Sequence, residues 1–347
     1  MLDLRRVLAS KPKPPTDATL TELWTPWGEK IAAGGEDVAS GSHPRPQFAR
    51  KRWSSLNGTW ECAFAVAPDA ASAWRAAEPP ASGWQPIRVP FSPEAPLSGI
   101  GRQLKPDELL WYRREFAAPA LVSGERLVLH LDAVDWACAV YVNDVRVAEH
   151  MGAYLPLSAD ITDALRPGEK NALTVCVHDP SDAGTQLRGK QRLARGGIWY
   201  TAQSGIWRDV WWEVEPASRV VELRADARVG EGRVVLLVCV SGAGELVARL
   251  VDGGVEVARA SSFIRGERDV ELSLSVGEPH LWSPDDPHLY DLELSFGGDY
   301  VRSYCAFRTV EVCADAAGVP RVHLNGEPVF LRGVLDQGYW PDGLMTP

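Results

Sequence analysis

The sequence predicts a mainly β protein: a jelly-roll-like β-sandwich followed by an immunoglobulin-like β-sandwich, with a further domain beginning at the end of the chain. Three observations carry this prediction. Short apolar runs with period-two alternation dominate the 347 residues, and amphipathic helical stripes are scarce. The runs are rich in Val, Trp, Tyr and Leu and are separated by clusters of Gly, Pro, Asn and Asp. Composition also shifts near residue 215, since 12 of the 14 tryptophans precede residue 213.

In the first segment the expected strands are Trp60–Val66, Trp111–Phe116, Arg126–Leu131, Trp136–Val142, Leu173–His178 and Ile206–Val214. Many short strands with polar turns fit a sandwich or jelly roll. Trp60, Trp111, Trp136 and Trp211 lie inside these runs and are expected in the core, although an indole can equally form a platform for a sugar ring. The stretch 181–205 is too long and glycine-rich for a plain hairpin, and a long loop on a sandwich is often functional. After residue 215 shorter alternating strands follow: Val220–Val229, Arg233–Val240, Glu245–Val251, Val255–Ala260, Val270–Val276, Leu289–Phe296 and Tyr300–Val312. Glycine-bearing turns at 230–232, 252–254 and 297–299 separate them, as in an immunoglobulin-like sandwich. Val319–Leu324 and Pro328–Leu331 then flank an Asn325-Gly326 turn, a hairpin that opens a domain with little chain left to complete it.

Composition narrows the functional classes. The formal charge of −10 disfavours nucleic acid or an anionic membrane as partner. No apolar run approaches the ~20 residues of a membrane-spanning helix. The opening MLDLRRVLASKPKPP lacks the apolar core of a secretory signal, so a cytoplasmic location is expected. Six cysteines without a CxxC pair, several of them inside apolar runs, are expected as buried thiols, and the seven scattered histidines suggest no metal site. No cofactor is implied, and a homo-oligomer is compatible with the sequence.

Nine segments follow one another in an order that resembles glycoside hydrolase family 2, the family of β-galactosidases, β-glucuronidases and β-mannosidases. They are RPQFARKRWSSLNGTWECAF, IRVPFSPEAPLSGI, LWYRREF, LHLDAVDWACAVYVND, GAYLPLSADIT, SGIWRDVWWEV, LWSPDDPHLYDLEL, YCAFRTVEV and LNGEPVFLRGV. The resemblance covers residues 45 to 347. It implies a galactose-binding-like jelly roll over 1–215, an immunoglobulin-like sandwich over 216–312 and, over 313–347, the truncated start of a (β/α)8 TIM barrel with its first strand. It also implies retaining hydrolysis of β-glycosides by two glutamates on later barrel strands. The chain is therefore expected to hold no catalytic residue and to be inactive alone. Glu61, Asp132, Asp135 and Asp209 are expected as turn, surface or internally bonded acids.

By the same resemblance, the loop after the first barrel strand supplies the substrate-contact candidates Asp336, Gln337, Tyr339, Trp340 and Asp342, with Arg332 set to orient a catalytic carboxylate. Acid and amide groups bind sugar hydroxyls, and a tryptophan stacks on the ring's apolar face. Two departures leave the sugar open. Leu335-Asp336-Gln337 stands where well-known members carry an Arg-His-Glu type sequence, and Trp199 stands where they carry a sugar-binding aspartate. The cluster Arg188, Lys190, Arg192 and Arg195 is expected to be solvated or packed on a neighbouring domain rather than to form a rim for an acidic sugar. The expected partner is a carbohydrate. The rival readings are a non-catalytic carbohydrate-binding protein and a structural β-sandwich module.

Overall fold

The computed structural model describes residues 23–34 and 41–347. The N-terminal stretch inspected above for a secretory signal lies outside the described residues. No described helix is long and apolar enough to cross a membrane.

The first sandwich packs two antiparallel sheets. One has six strands in the order Gln85–Val89, Gly58–Val66, Glu108–Ala117, Lys170–His178, Ala137–Val142 and Val145–Met151; the other has four, in the order Leu157–Asp160, Arg126–Leu131, Val210–Glu215 and Trp53–Ser55. Alternation places Trp60, Leu110, Tyr112, Leu129, Val140 and Val175 between the sheets, where each is nearly devoid of solvent contact. Trp111 and Trp74 instead pack on the outer face of the larger sheet, beneath the short helix Ala70–Ala73. Trp211 lies outside the smaller sheet, stacked on His130 at 4.0 Å. The tryptophan excess therefore covers the outsides of both sheets as well as filling the space between them.

The second sandwich pairs a three-stranded sheet, Arg219–Arg228, Arg233–Ser241 and Arg268–Ser275, with a larger one. The larger sheet runs Asp299–Cys305, Tyr290–Phe296, Ala243–Asp252 and Val255–Arg265, and Ala49–Arg50 pairs onto Asp299–Cys305 at its edge. A segment from before the first sandwich thus belongs to the second one's sheet. The run expected as one strand over Tyr300–Val312 divides into Asp299–Cys305 and Val310–Ala314. Phe307, fully buried in the second core, turns the chain between them. Cys62, Cys138, Cys176 and Cys305 are buried free thiols, whereas Cys239 is half-buried and Cys313 exposed.

Arg50 clasps the two sandwiches together. Its Nε and Nη2 donate to the Asp299 carboxylate at 2.9 and 3.0 Å, and Nη2 also donates to the Val220 carbonyl at 2.7 Å. Nη1 lies 3.1 Å from Glu213 and 3.4 Å from Glu215, both on the first sandwich. Such a fork suits Arg and would be lost with Lys.

The terminal hairpin forms as Pro320–Leu324 against Glu327–Pro328, with Asn325 and Gly326 both at positive φ, as a two-residue turn of this type requires. Its return strand ends at Pro328, short of the expected Leu331. The Val329 amide still donates to the Val322 carbonyl at 2.8 Å, but from residue 330 to 339 the chain joins no strand, and Phe330, Val334 and Leu335 are 83%, 94% and 88% exposed. The segment expected as a first barrel strand thus forms no strand among the described residues.

Candidate functional site

At one end of the first sandwich, three carboxyl groups are buried together. The strand pair Val134–Asp135 with Gly205–Ile206 sets Asp135 opposite Gly205. Gly205 has φ of +73°, and a Cβ there would lie 2.1 Å from the Tyr112 hydroxyl, so only glycine fits. This turn aims Ser204 at Glu94: the Ser204 hydroxyl donates to Oε1 at 2.5 Å and its amide to Oε2 at 3.1 Å, while the Leu104 amide donates to Oε1 at 3.1 Å. Asp179, just past the strand Lys170–His178, accepts the Ser181 amide at 2.8 Å. Asp135 is only 3% exposed, and among the described residues its carboxyl accepts no hydrogen bond.

No Lys or Arg among the described residues lies within ion-pair distance of these three acids. Burial pushes the Glu94 carboxyl up to about 7, only partly offset by its bonds from Ser204 and Leu104. Burial likewise raises Asp135 well above the usual carboxylate range, and the neighbouring charges of Asp179 and Glu94 raise it further. Asp179 is raised by burial against its bonds from Ser181 and Gln186. A buried carboxyl without partners is costly unless a bound group supplies hydrogen bonds. The chemistry that fits is a set of sugar hydroxyls, which donate to an ionised acid and accept from a protonated one.

Tyr339 packs over this cluster. Its hydroxyl donates to the Thr201 carbonyl at 2.6 Å, its ring stacks on Tyr200 at 4.5 Å, and burial raises its phenol, with added repulsion from Glu94, Tyr154 and Asp135. Gln337 Oε1 accepts from the Tyr200 hydroxyl at 2.5 Å and from Lys190 at 3.4 Å. The 181–205 loop, which contains the short parallel pair Gln191–Arg192 with Tyr200–Thr201, thus packs on the segment that follows the hairpin. Within that loop the Arg192 guanidinium lies over Trp199 at 3.8 Å.

The other sequence candidates are disposed differently. Asp336 caps its own turn through the Gly338 amide at 2.8 Å, and Arg332 is exposed. Trp340 is 40% exposed and holds Leu344 through two backbone bonds. Asp342 is buried, with its carboxylate committed to Thr25: the amide at 2.7 Å and the hydroxyl at 2.6 Å. It ties the C-terminal segment to the helix Pro26–Ala32. Of the six, the structure brings Tyr339 beside the acid cluster, while Gln337 is exposed and bonds Tyr200 and Lys190. Among the carboxylates set aside from sequence, Glu61 is the expected exposed ion-paired residue, at 2.7 Å from Arg113. Asp135 is a buried strand residue whose carboxyl bonds no described residue. An acid within the apolar run AVDWACAVYV was the signal for it. Glu94, set between prolines, and Asp179, before Pro180, gave no comparable signal. Among the described residues no three His, Cys, Asp or Glu side chains converge as metal ligands.

Comparison with known proteins locates the two sandwiches. Residues 103–208 match a family model described as the glycosyl hydrolase 2 galactose-binding domain-like region, and residues 243–308 match one for glycosyl hydrolases family 2. A β-galactosidase of Aeromonas hydrophila is 34% identical over 245 residues, covering 64% of this chain and 22% of that protein. A β-glucuronidase of Paenibacillus borealis is 27% identical over 245 residues, covering 65% of this chain and 39% of that one. Among solved structures, a Faecalibacterium prausnitzii β-glucuronidase superposes with a TM-score of 0.62 at 25% identity, over 82% of this chain and 50% of that one. The chain therefore spans about half or less of the length of the relatives it matches.

Proposed function

The chain belongs to glycoside hydrolase family 2, both of whose β-sandwich regions it contains, and from that membership we propose that it forms one wall of the sugar site of a retaining β-glycosidase. The observation that carries this reading is Asp135, a buried carboxyl without a hydrogen-bond partner among the described residues, set beside Glu94 and Asp179 and near Tyr339. In the proposed complex Asp135 accepts hydroxyl hydrogens of the bound sugar, and Tyr339 and Gln337 hold the loop over it. The second sandwich acts as a spacer, fixed by Arg50, that sets the first at a constant distance from a catalytic barrel.

The reaction proposed is retaining hydrolysis of a β-galactoside or β-glucuronide. One glutamate protonates the leaving oxygen, and a second, about 5–5.5 Å away, attacks the anomeric carbon. Family resemblance assigns both to barrel strands not among these 347 residues, so the chain by itself is proposed to be inactive. A cytoplasmic location is part of the same proposal.

The test is a panel of nitrophenyl β-glycosides offered to the complete gene product and, separately, to the 347-residue chain. The expected result is hydrolysis with retention by the complete product and none by the chain alone. Turnover by the chain alone, or an inert complete product, overturns the reading.

A further inference from the structure

On the outer face of the smaller sheet of the first sandwich, we propose a second site, a serine–histidine–glutamate relay that hydrolyses small carboxylic esters with Ser158 as nucleophile. The strand register builds it. Ser158 on Leu157–Asp160 lies directly opposite His130 on Arg126–Leu131, which lies opposite Trp211 on Val210–Glu215. The Ser158 hydroxyl is 2.7 Å from His130 Nδ1, and His130 Nε2 is 3.2 Å from Glu213 Oε1. The serine is exposed while His130 and Glu213 are buried, the disposition a nucleophile and its supporting base require.

Several contacts hold the ring in place. Trp211 stacks on it at 4.0 Å with 20° between planes, and Arg50 Nη1 fixes the Glu213 carboxylate at 3.1 Å. Burial alone would raise the Glu213 carboxyl, but His130 and Arg50 overcome it and keep the group ionised. The Nε2 contact is at hydrogen-bond distance but off line, leaving that nitrogen without an aligned acceptor. Catalytic contacts in unliganded sites are often loose in this way and tighten with substrate. The serine opens on a cleft of about 320 Å³ whose lining includes Arg45, Arg208, Tyr154 and Pro156. That volume suits a small ester. The two guanidiniums bring positive charge into the cleft, which the carboxylates of Asp132 and Asp209 also line.

The steps balance. Ser158 Oγ attacks the acyl carbon as its proton passes to His130 Nδ1, while the Nε2 proton is directed at Glu213. The carbon–alkoxy bond breaks, and the alcohol leaves with the proton from Nδ1. Water then attacks the acyl-serine, giving its proton to His130. The serine takes that proton back as the carboxylic acid departs.

The test uses the full chain with p-nitrophenyl acetate and, independently, a fluorophosphonate probe followed by peptide mass spectrometry. The expected result is saturable acetate release, at least tenfold reduced in Ser158→Ala and His130→Gln, with the probe attached at Ser158. Retention of the far-ultraviolet circular dichroism spectrum and unfolding midpoint in Ser158→Ala, an exposed position, separates lost chemistry from lost fold. Acetate release unchanged in Ser158→Ala, or labelling of other serines at the same rate as Ser158, overturns the proposal and leaves a cross-strand polar network.

Discussion

Two groups of buried acids in this chain are handled in opposite ways. At the junction of the sandwiches, Glu213 and Asp299 share the Arg50 guanidinium, and Glu213 is held below its usual range. At the end of the first sandwich, Glu94, Asp135 and Asp179 have no cation partner among the described residues, and all three are held above theirs. Paired acids serve as fasteners, because they are satisfied before any ligand arrives. Unpaired acids are an energetic deficit that a bound hydroxylated molecule would offset, which is why the second group is the proposed sugar site.

The largest effect expected from breaking this contrast is at the junction. Arg50→Ala leaves Glu213 and Asp299 buried without a counter-ion and should destabilise the chain by about 3–5 kcal/mol in urea unfolding. An effect below about 1 kcal/mol would mean that the clasp does not hold the sandwiches together.

The pH dependence of stability sharpens the contrast, because the two groups oppose one another in sign. Glu94 titrates at about 7 when folded and near the ordinary ~4.3 when unfolded, so the folded state binds its proton more tightly. Its contribution falls as pH rises from about 4 to about 7, by on the order of 3 kcal/mol. Glu213, with its folded value lowered, contributes stability above the unfolded carboxylate value that is lost as pH falls through the folded one. Glu94→Gln should flatten the slope between pH 4 and 7. At pH 4 it should lower stability by about 1–2 kcal/mol, since the new amide meets the Ser204 amide donor, and near pH 7, where the parent has lost on the order of 3 kcal/mol, the variant should match or exceed it. Unfolding midpoints of both proteins across that range check this, and an unchanged slope would remove Glu94 from the account.

The smallest effect concerns the covering loop. Tyr339→Phe loses the bond to the Thr201 carbonyl, worth about 1 kcal/mol, while keeping the stack on Tyr200. Amide hydrogen exchange should quicken over residues 336–346 and stay unchanged in the second sandwich.

Much of the fold was legible because strand alternation is local. Arg126–Leu131 has the expected bounds, and most other strands run only a few residues past theirs. What escaped was non-local. Ala49–Arg50 joins a sheet whose other strands lie more than 190 residues later, which no periodicity reveals. The division of Tyr300–Val312 depends on Phe307 being drawn into the second core. The same limit governs the site. The family resemblance pointed to Tyr339, which the structure sets beside the acids, whereas Asp342 is tied to Thr25, 317 residues away, a contact no local pattern shows. Asp135 acquires its meaning only from Asp179 and Glu94, brought beside it by three separate strand ends and loops.

The most direct measurement is the Asp135→Ala exchange in the complete gene product, with kcat/KM on its best nitrophenyl glycoside read alongside the unfolding midpoint. A hydrogen bond to a charged group is worth about 1.5–3 kcal/mol, so kcat/KM should fall roughly 10- to 100-fold while the midpoint holds or rises. A kcat/KM within twofold of the parent, together with a lowered midpoint, would contradict the account and make Asp135 a structural residue.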